Sequence, residues 1–316
     1  MMMRRGMLAI VGLLIAAATL AAQDLQVFRS RSRTVPVFAS VTDSFGGFVL
    51  DLKRDEFEIR DNGKLQEITQ FTADVKPLSL MLLIDGSASM LQVQNAVVGA
   101  ADSLVMRMLP QDRTAIASFA DIFQMTQPFT SDRQELLDHL KDQLNLRVAG
   151  ETRLWEALTE SVMRLSTESG RRVVVVLTDG RQWTYEQGQA GQDGGNAYLT
   201  AAPRSLVSLA LERDVMIYAI AVWTKAGVGR GMQRPSSSIQ TLAAETGGGY
   251  VEMRESDRLN ALAAQITVEL HRQYVLGFTP QLLDGTTHQI DVKVKRPGLN
   301  VTARRSYFAP RVEKTH

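Results

Sequence analysis

Runs of apolar residues alternate with amphipathic stretches through the middle of the chain. Three of these runs, at residues 78–84, 173–177 and 215–222, have strand length and are almost entirely apolar. Strands that are apolar on both faces are typical of a parallel sheet with helices on each side. The stretches between them have apolar residues at helical spacing. The pattern therefore predicts an α/β fold, a doubly wound and mostly parallel sheet with helices on both faces.

The predicted sheet has six strands. Its second and third strands follow each other so closely that we expect an antiparallel hairpin at one edge. The predicted strands lie near residues 78–84, 114–119, 123–129, 173–177, 215–222 and 249–253. The predicted helices lie near residues 92–108, 132–143, 153–166, 199–213, 237–246 and 257–271.

The segments on either side of this unit have the two-residue alternation of β strands. Apolar residues alternate over 35–41 and again over 290–294, and Asn62-Gly63 predicts a tight hairpin. Neither flank has enough strands for a core of its own. We therefore expect the N- and C-terminal flanks to pair in a small antiparallel β-sandwich, into which the α/β unit is inserted.

The N-terminus has the pattern of a secretory signal. Arg4 and Arg5 precede an apolar run over residues 8–20, and the small residues Ala21 and Ala22 follow. The run is short for a membrane span. We expect cleavage after Ala21 or Ala22, export to the periplasm or the medium, and no stable membrane span afterwards; a retained anchor is the alternative. The predicted divisions are a signal peptide (1–22), an N-terminal β segment (23–75), the α/β domain (76–272), a C-terminal β segment (273–310) and a tail (311–316).

Composition narrows the classes of partner. The 316 residues carry a formal net charge of +1, so no strong field favours nucleic acid or a membrane surface. The chain has no cysteine, which excludes disulfides and thiolate metal sites. We therefore expect no nucleic acid among its partners, and no stable membrane span after cleavage of the signal.

The first buried strand leads into a short loop rich in oxygen ligands. Asp85 ends the apolar run, and Ser87 and Ser89 follow at alternate positions. Ligands of open α/β sheets bind at the carboxyl ends of the strands. One carboxylate and two hydroxyls suit a hard cation such as Mg²⁺. Serines also often cap helices, so from this loop alone a capping role stays open.

Two further positions extend the pattern. Thr152 stands at the start of a predicted helix, and Asp179 follows the second buried strand. Here the chain resembles the von Willebrand factor type A (VWFA) domain. The metal-ion-dependent adhesion site (MIDAS) of that family combines an Asp-x-Ser-x-Ser loop, a distant threonine and a later aspartate. For Thr152 alone, a helix cap is the alternative. The metal ligands that the resemblance implies are Asp85, Ser87, Ser89, Thr152 and Asp179.

The resemblance also implies a mechanism. The cation is Mg²⁺, with Mn²⁺ or Ca²⁺ as substitutes, and neutral hydroxyl ligands leave it electrophilic. An open coordination position then accepts an Asp or Glu carboxylate from a protein partner. We expect an exported adhesion-type binding module and no enzyme. The alternatives are a structural or assembly component of the cell envelope with a purely structural metal, and a metal-dependent hydrolase, for which no general base is evident.

We expect two long loops that follow strands to surround this site. One spans residues 181–196 and the other spans 224–236. Arginine, tryptophan and tyrosine are enriched at interface hot spots, and basic side chains attract acidic partners. A surface loop without a partner is the alternative for both. The predicted partner-binding residues are Arg181, Trp183, Tyr185, Lys225 and Arg230.

The flanks carry a second resemblance. Residues 34–37, 41–43, 57–64, 273–278 and 292–299 are similar to the exported bacterial VWFA-related Acidobacterial domain family. The similarity extends over nearly the whole chain beyond the signal. It implies the same plan, a VWFA domain between two β segments.

Overall fold

The structure is a computed structural model, and it describes residues 34–74, 76–142, 151–182, 202–225, 231–254 and 258–311. Its strands are β1 (Val35–Thr42), β2 (Phe57–Asp61), β3 (Lys64–Gln66), β4 (Ile68–Thr72), β5 (Leu78–Asp85), β6 (Arg113–Phe119), β7 (Phe123–Thr130), β8 (Arg171–Thr178), β9 (Val215–Val222), β10 (Thr224–Lys225), β11 (Met232–Gln233), β12 (Tyr250–Met253), β13 (Tyr274–Phe278), β14 (Thr286–Val294), β15 (Asn300–Ala303) and β16 (Ser306–Ala309). Its α-helices are α1 (Gln94–Val105), α2 (Arg133–Asp142), α3 (Leu154–Leu165), α4 (Arg204–Glu212), α5 (Ser237–Thr246) and α6 (Leu259–His271).

The central sheet has six strands in the order β12-β9-β8-β5-β6-β7. Every neighbouring pair is parallel except β6 and β7, which form the antiparallel hairpin at one edge. Strands β5, β8 and β9 are buried along nearly their whole length, as their continuous apolar runs require. The predicted sheet, including its edge hairpin, is confirmed.

Helices cover both faces of this sheet. Alternate residues of β5 point to opposite sides: Leu80 and Leu82 pack with α1, α2 and α6, whereas Met81 and Leu83 pack with α3, α4 and α5. The two-residue period of a strand thus divides one apolar run between two separate cores. The doubly wound architecture predicted from the sequence is therefore confirmed.

The flanks form two antiparallel sheets of four strands, β15-β1-β13-β4 and β16-β14-β2-β3. Both contain strands from before and after the α/β unit, since β1 pairs with β13 and β2 with β14. The Asn62-Gly63 turn has φ values of 48° and 81°, as a two-residue hairpin with positive φ requires. A shared apolar core, including Ile59 and Leu276, lies between the sheets. The predicted antiparallel unit built from both flanks is confirmed.

Two helices start later than predicted. Residues Ala88–Val93 form a 3-10 helix, and the α-helix begins only at Gln94. The stretch predicted near 199–213 has its first described helical residue at Arg204, with Pro203 in the N-cap position. Proline has no N–H for a helical hydrogen bond and is tolerated only at a helix start, which explains the shorter helix.

No helix among the described residues is long and apolar enough to cross a membrane. The predicted signal peptide, residues 1–22, lies outside the described residues and stays a prediction. The limits of the predicted domains stay predictions.

Candidate metal centre

The order of the strands creates a crevice beside β5. The chain passes from β5 to β6 and β7 on one side, and then returns across β5 to add β8 on the other side. Loops that follow β5 and β8 therefore leave the sheet in opposite directions, which opens a crevice at their carboxyl ends. Asp85 is the last residue of β5, and Asp179 follows Thr178 at the end of β8. The topology thus brings two carboxylates that are far apart in sequence to one place.

Asp85 is held between the two strands. It is only 3% exposed. Its Oδ1 accepts a hydrogen bond from the backbone N–H of Ser87 at 2.9 Å, and its Oδ2 accepts one from the Thr178 hydroxyl at 2.6 Å. One oxygen therefore fixes the serine loop and the other ties it to β8.

The two serine hydroxyls of the loop lie together. Ser87 Oγ is 3.1 Å from Ser89 Oγ. Ser87 occupies the N-cap position of the 3-10 helix, but its side chain makes no capping hydrogen bond, and the N-cap of α1 is Val93. The capping role that the sequence left open is therefore absent at Ser87, and its hydroxyl stays beside Asp85.

Thr152 lies in the segment just before α3, at the same edge of the sheet. Its side chain is buried, and the N-cap residue of α3 is Arg153, so Thr152 does not cap this helix. Arg153 N–H donates to the Ala120 carbonyl at 2.8 Å, and Gly86 N–H donates to the adjacent Phe119 carbonyl at 2.8 Å. These two bonds join the Thr152 segment and the Asp85 loop to consecutive residues at the end of β6.

Asp179 is fully buried, and its carboxylate is surrounded by donors from two segments. Oδ2 accepts a hydrogen bond from the Thr224 hydroxyl at 2.7 Å, and Oδ1 accepts one from the Arg181 N–H at 3.3 Å. Arg181 Nη1 lies 3.4 Å from Oδ2. The Asp179 carbonyl accepts from Ser236 N–H at 3.4 Å, at the start of α5. The carboxylate is therefore fixed from β10 as well as from its own loop.

The two carboxylates repel each other electrostatically. Burial and, after it, the neighbouring charge of Asp179 raise the pKa of Asp85 to about 7, against the hydrogen bonds from Ser87 and Thr178, which lower it. A divalent cation would compensate both charges and keep Asp85 ionised. Two carboxylates and three hydroxyls form an all-oxygen donor set with few charges, the type that Mg²⁺ accepts. These residues therefore fit such an ion.

Hydroxyl ligands are essential to that fit. No group of three or more His, Cys, Asp or Glu side chains in the described ranges could hold a metal. A site at this edge of the sheet would therefore depend on Ser87, Ser89 and Thr152 as well as on its two carboxylates. The assignment of the five residues as ligands stays a prediction.

The predicted partner-binding residues have different environments. Arg181 is only 9% exposed and lies against Asp179, whereas Lys225 is exposed on β10. This short strand pairs with β11 and contacts the 3-10 helix that follows Ser87. Trp183, Tyr185 and Arg230 lie outside the described residues. Contact with a partner stays a prediction for all five.

Three further residues shape the site and were missed by sequence reasoning. Thr178 and Thr224 donate to the two carboxylates. Gly180 has a φ of 73°, and a Cβ atom there would lie 3.1 Å from Ile239 Cγ2, so this position favours glycine. Thr178 and Gly180 flank Asp179 in the sequence, and this adjacency could have identified them as site residues. Thr224 could not have been identified in this way, because its contact with Asp179 joins distant segments of the chain.

Comparisons with known proteins agree with the fold of the central sheet. The family model of the von Willebrand factor type A domain matches residues 80–182. A search of curated proteins found no match. Among solved structures, the von Willebrand factor type A protein from Catenulispora acidiphila is 11% identical with a TM-score of 0.51, covering 86% of this chain and 73% of that chain.

Two other similar structures have lower TM-scores. The conserved hypothetical protein BatB from Bacteroides thetaiotaomicron is 18% identical, with a TM-score of 0.47, covering 61% of this chain and 98% of that chain. Proximal thread matrix protein 1 from the mussel byssus, with a zinc-occupied MIDAS motif, is 14% identical, with a TM-score of 0.48, covering 64% of this chain and 49% of that chain.

The family match includes all five predicted ligands, from Asp85 on β5 to Asp179 after β8. It does not extend to the β flanks, so their similarity to the Acidobacterial family stays a prediction. The sequence match and the order of the central sheet agree, and the chain contains a von Willebrand factor type A domain.

Proposed function

We propose that this chain is an exported, metal-ion-dependent protein-binding module. A divalent cation, Mg²⁺ in the first place and Mn²⁺ or Ca²⁺ as substitutes, would be held by a MIDAS formed by Asp85, Ser87, Ser89, Thr152 and Asp179. The partner would be a protein that presents an Asp or Glu carboxylate to this ion. The proposal includes no catalytic step.

The observation that carries the proposal is the pair of buried carboxylates in the crevice. Asp85 and Asp179 are 3% and 0% exposed, and the charge of Asp179 raises the cost of ionising Asp85. Like charges buried together are costly unless a cation compensates them. Buried pairs of like charge are frequent at functional sites. They reduce the stability of the protein by itself, and an ion or a ligand that binds there compensates the charge.

Each residue of the site would have a distinct task. A bound divalent cation supplies an electrophilic centre for a carboxylate oxygen. Asp85 and Asp179 provide negative charge, and the three hydroxyls provide neutral oxygens that leave the ion electrophilic. Thr178 and Thr224 fix the orientation of the two carboxylates through hydrogen bonds of 2.6 and 2.7 Å.

Export is supported by the sequence of the N-terminus. A basic start, an apolar run over residues 8–20 and the small residues before Gln23 have the composition of a secretory signal. We propose a periplasmic or extracellular location. Fractionation of cells that express the full chain tests this, with N-terminal sequencing to find cleavage after Ala21 or Ala22.

The binding function is tested with carboxylate probes and the full-length protein. Peptides that contain Asp or Glu, and matched peptides that contain Asn or Gln, are compared for capture by the immobilised protein in Mg²⁺ and in chelator. We expect capture of the acidic peptides in Mg²⁺ only. Asp85→Ala should abolish it, whereas Asp291→Ala, which removes a carboxylate of β14 that is exposed on the sandwich, should leave it unchanged.

Other outcomes would support the competing functions. Capture that survives both chelator and Asp85→Ala would contradict the metal-bridging mechanism and favour an envelope component with a structural metal. Turnover in a hydrolase screen that is lost with Asp85→Ala would favour a metal-dependent hydrolase instead.

A further inference from the structure

Arg181 is a buried cation in direct contact with one of the predicted metal ligands. Only 9% of its surface is exposed, and its Nη1 lies 3.4 Å from Asp179 Oδ2. Its backbone N–H also donates to Asp179 Oδ1 at 3.3 Å. The residue therefore contacts both oxygens of this carboxylate, one through its main chain and one through its guanidinium.

The guanidinium is poorly satisfied in this position. The 3.4 Å separation is longer than the usual charge-assisted hydrogen bond, and Nη2 is buried with no hydrogen-bond partner among the residues that the structure describes. A buried guanidinium with unmet donors is costly, so the pairing with Asp179 is weaker than a bidentate ion pair. The Arg181 guanidinium thus places a positive charge near the Asp179 carboxylate without forming a short hydrogen bond to it.

We propose that Arg181 is a built-in counter-cation of Asp179, and that it competes with the divalent ion for this carboxylate and so lowers the affinity of the site for cations. This inference rests on the proposed function. It concerns a residue that the MIDAS pattern of Asp85, Ser87, Ser89, Thr152 and Asp179 does not include.

The competition follows from charge. An ion beside Asp179 would stand close to the guanidinium, and two positive charges in a buried site repel each other strongly. The hydrogen bonds from Thr224 and from the Arg181 N–H do not bring a second charge and remain compatible with a cation. Only the Arg181 side chain has to move, since its main chain can stay bonded to Asp179.

Two substitutions separate the charge of Arg181 from its shape. Arg181→Gln removes the charge but keeps a polar side chain, whereas Arg181→Lys keeps the charge but loses the planar fork. Mg²⁺ affinity is measured by calorimetry on the full chain. We expect Arg181→Gln to bind Mg²⁺ about tenfold more tightly, the change that ~1.4 kcal/mol of lost repulsion produces. Arg181→Lys should stay close to the wild type.

Arg234 offers a matched control. Its guanidinium is exposed and forms an ion pair with Glu252 at 2.9 Å. Arg234→Gln also removes one positive charge from the chain, but we expect it to leave Mg²⁺ affinity nearly unchanged, because exposed charges are screened by solvent and salt. Thermal unfolding of each variant checks that it is folded, and Arg181→Met replaces Arg181→Gln if the latter is not.

The possible results distinguish the inference from the proposed function. Wild-type binding with an unchanged or weaker affinity in Arg181→Gln would overturn the role of Arg181 and leave the metal site intact. Equal gains in Arg181→Gln and Arg181→Lys would also overturn it, since shape and not charge would then matter. Absence of binding in every variant would overturn both, whereas binding by Arg181→Gln alone would support the competition strongly.

Discussion

The two ends of β5 each have a buried aspartate, but the two carboxylates are treated differently. At the amino end, Asp112 is 2% exposed and accepts hydrogen bonds from the N–H groups of Leu78 at 2.9 Å and Leu109 at 2.7 Å. His271 Nε2 lies 2.7 Å from the same carboxylate. At the carboxyl end, Asp85 has two hydrogen-bond donors, but the nearby charge is a second carboxylate.

This difference separates a stabilising site from a candidate binding site. The chain itself supplies the partners of the Asp112 carboxylate: Leu78 of β5, Leu109 in the turn before β6, and His271 of α6. In the described part of the chain, the only ion pair that either Asp85 or Asp179 makes is the loose contact of Asp179 with Arg181. A buried charge that the protein leaves uncompensated reduces stability and is a sign of function.

Among the substitutions, removal of Asp112 should have the largest effect on folding. Asp112→Ala leaves two backbone N–H groups and His271 without their acceptor in a buried region. We expect the free energy of unfolding to fall by about 3 to 4 kcal/mol, as when one partner of a buried pair is removed. Urea unfolding measures this change. A loss smaller than about 1 kcal/mol would contradict the account of the amino end.

The pH dependence of stability should differ between the wild type and Asp85→Asn. The pKa of Asp85 rises from 3.8 to about 7 on folding, so the folded state holds this proton more tightly than the unfolded state. The contribution of Asp85 to stability is therefore fully present below pH ~4 and is lost as the pH rises through about 7. Over this window the loss is on the order of 4 kcal/mol, from ~1.4 kcal/mol for each of about three units of pKa difference.

Urea unfolding in chelator, from about pH 4 to 8, checks this dependence. The difference between the wild type and Asp85→Asn isolates this carboxyl from the histidines. If the wild type gained stability relative to Asp85→Asn as the pH rises, the predicted direction of the Asp85 contribution would be wrong.

The cation should stabilise the wild type and not the Asp85→Asn variant. Mg²⁺ at a hundred times its dissociation constant adds about 2.7 kcal/mol to the free energy of unfolding by mass action. Asp85→Asn should lose this increment. In chelator near pH 7, its stability should stay within about 1 kcal/mol of the wild type, because a neutral amide removes the repulsion from Asp179. Thermal unfolding with and without Mg²⁺ measures both quantities. An equal shift in both proteins would mean that the ion binds elsewhere.

Ser87→Ala should have the smallest effect on folding. The Ser87 hydroxyl contacts Ser89 Oγ and makes no helix cap, so its loss should change the free energy of unfolding in chelator by no more than about 1 kcal/mol. The Mg²⁺ stabilisation should nevertheless decrease, because one neutral ligand is missing. Ser166→Ala is a suitable control, since that exposed hydroxyl donates to the Met163 carbonyl at the end of α3. A full Mg²⁺ effect in Ser87→Ala would remove this serine from the ligand set.

The sequence predicts the central sheet well because strands that are buried on both faces have continuous apolar runs. The runs ending at Asp85 and near Asp179 are typical of strands covered by helices, and the carboxyl ends of such strands converge. The edge hairpin followed from the short distance between two strands. Site residues adjacent to these strand ends were therefore predictable.

Contacts between distant segments were not predictable in this way. The pairing of His271 with Asp112 and the approach of Thr224 to Asp179 depend on how loops and helices pack, and a single sequence carries no signal for either. The sequence predicts Arg181 at the partner surface from its residue type and from its place in the long loop after β8. Its burial against Asp179 follows from the path of the chain after β8, which hydrophobic periodicity does not determine.

Titration of the full chain with Mn²⁺, followed by electron paramagnetic resonance, tests the central claim most directly. The account predicts one saturable ion for each folded chain, displaced by Mg²⁺ and lost in Asp85→Ala and in Asp179→Ala. A chain that stays folded but binds no Mn²⁺, or that binds it equally well without these two carboxylates, would contradict it.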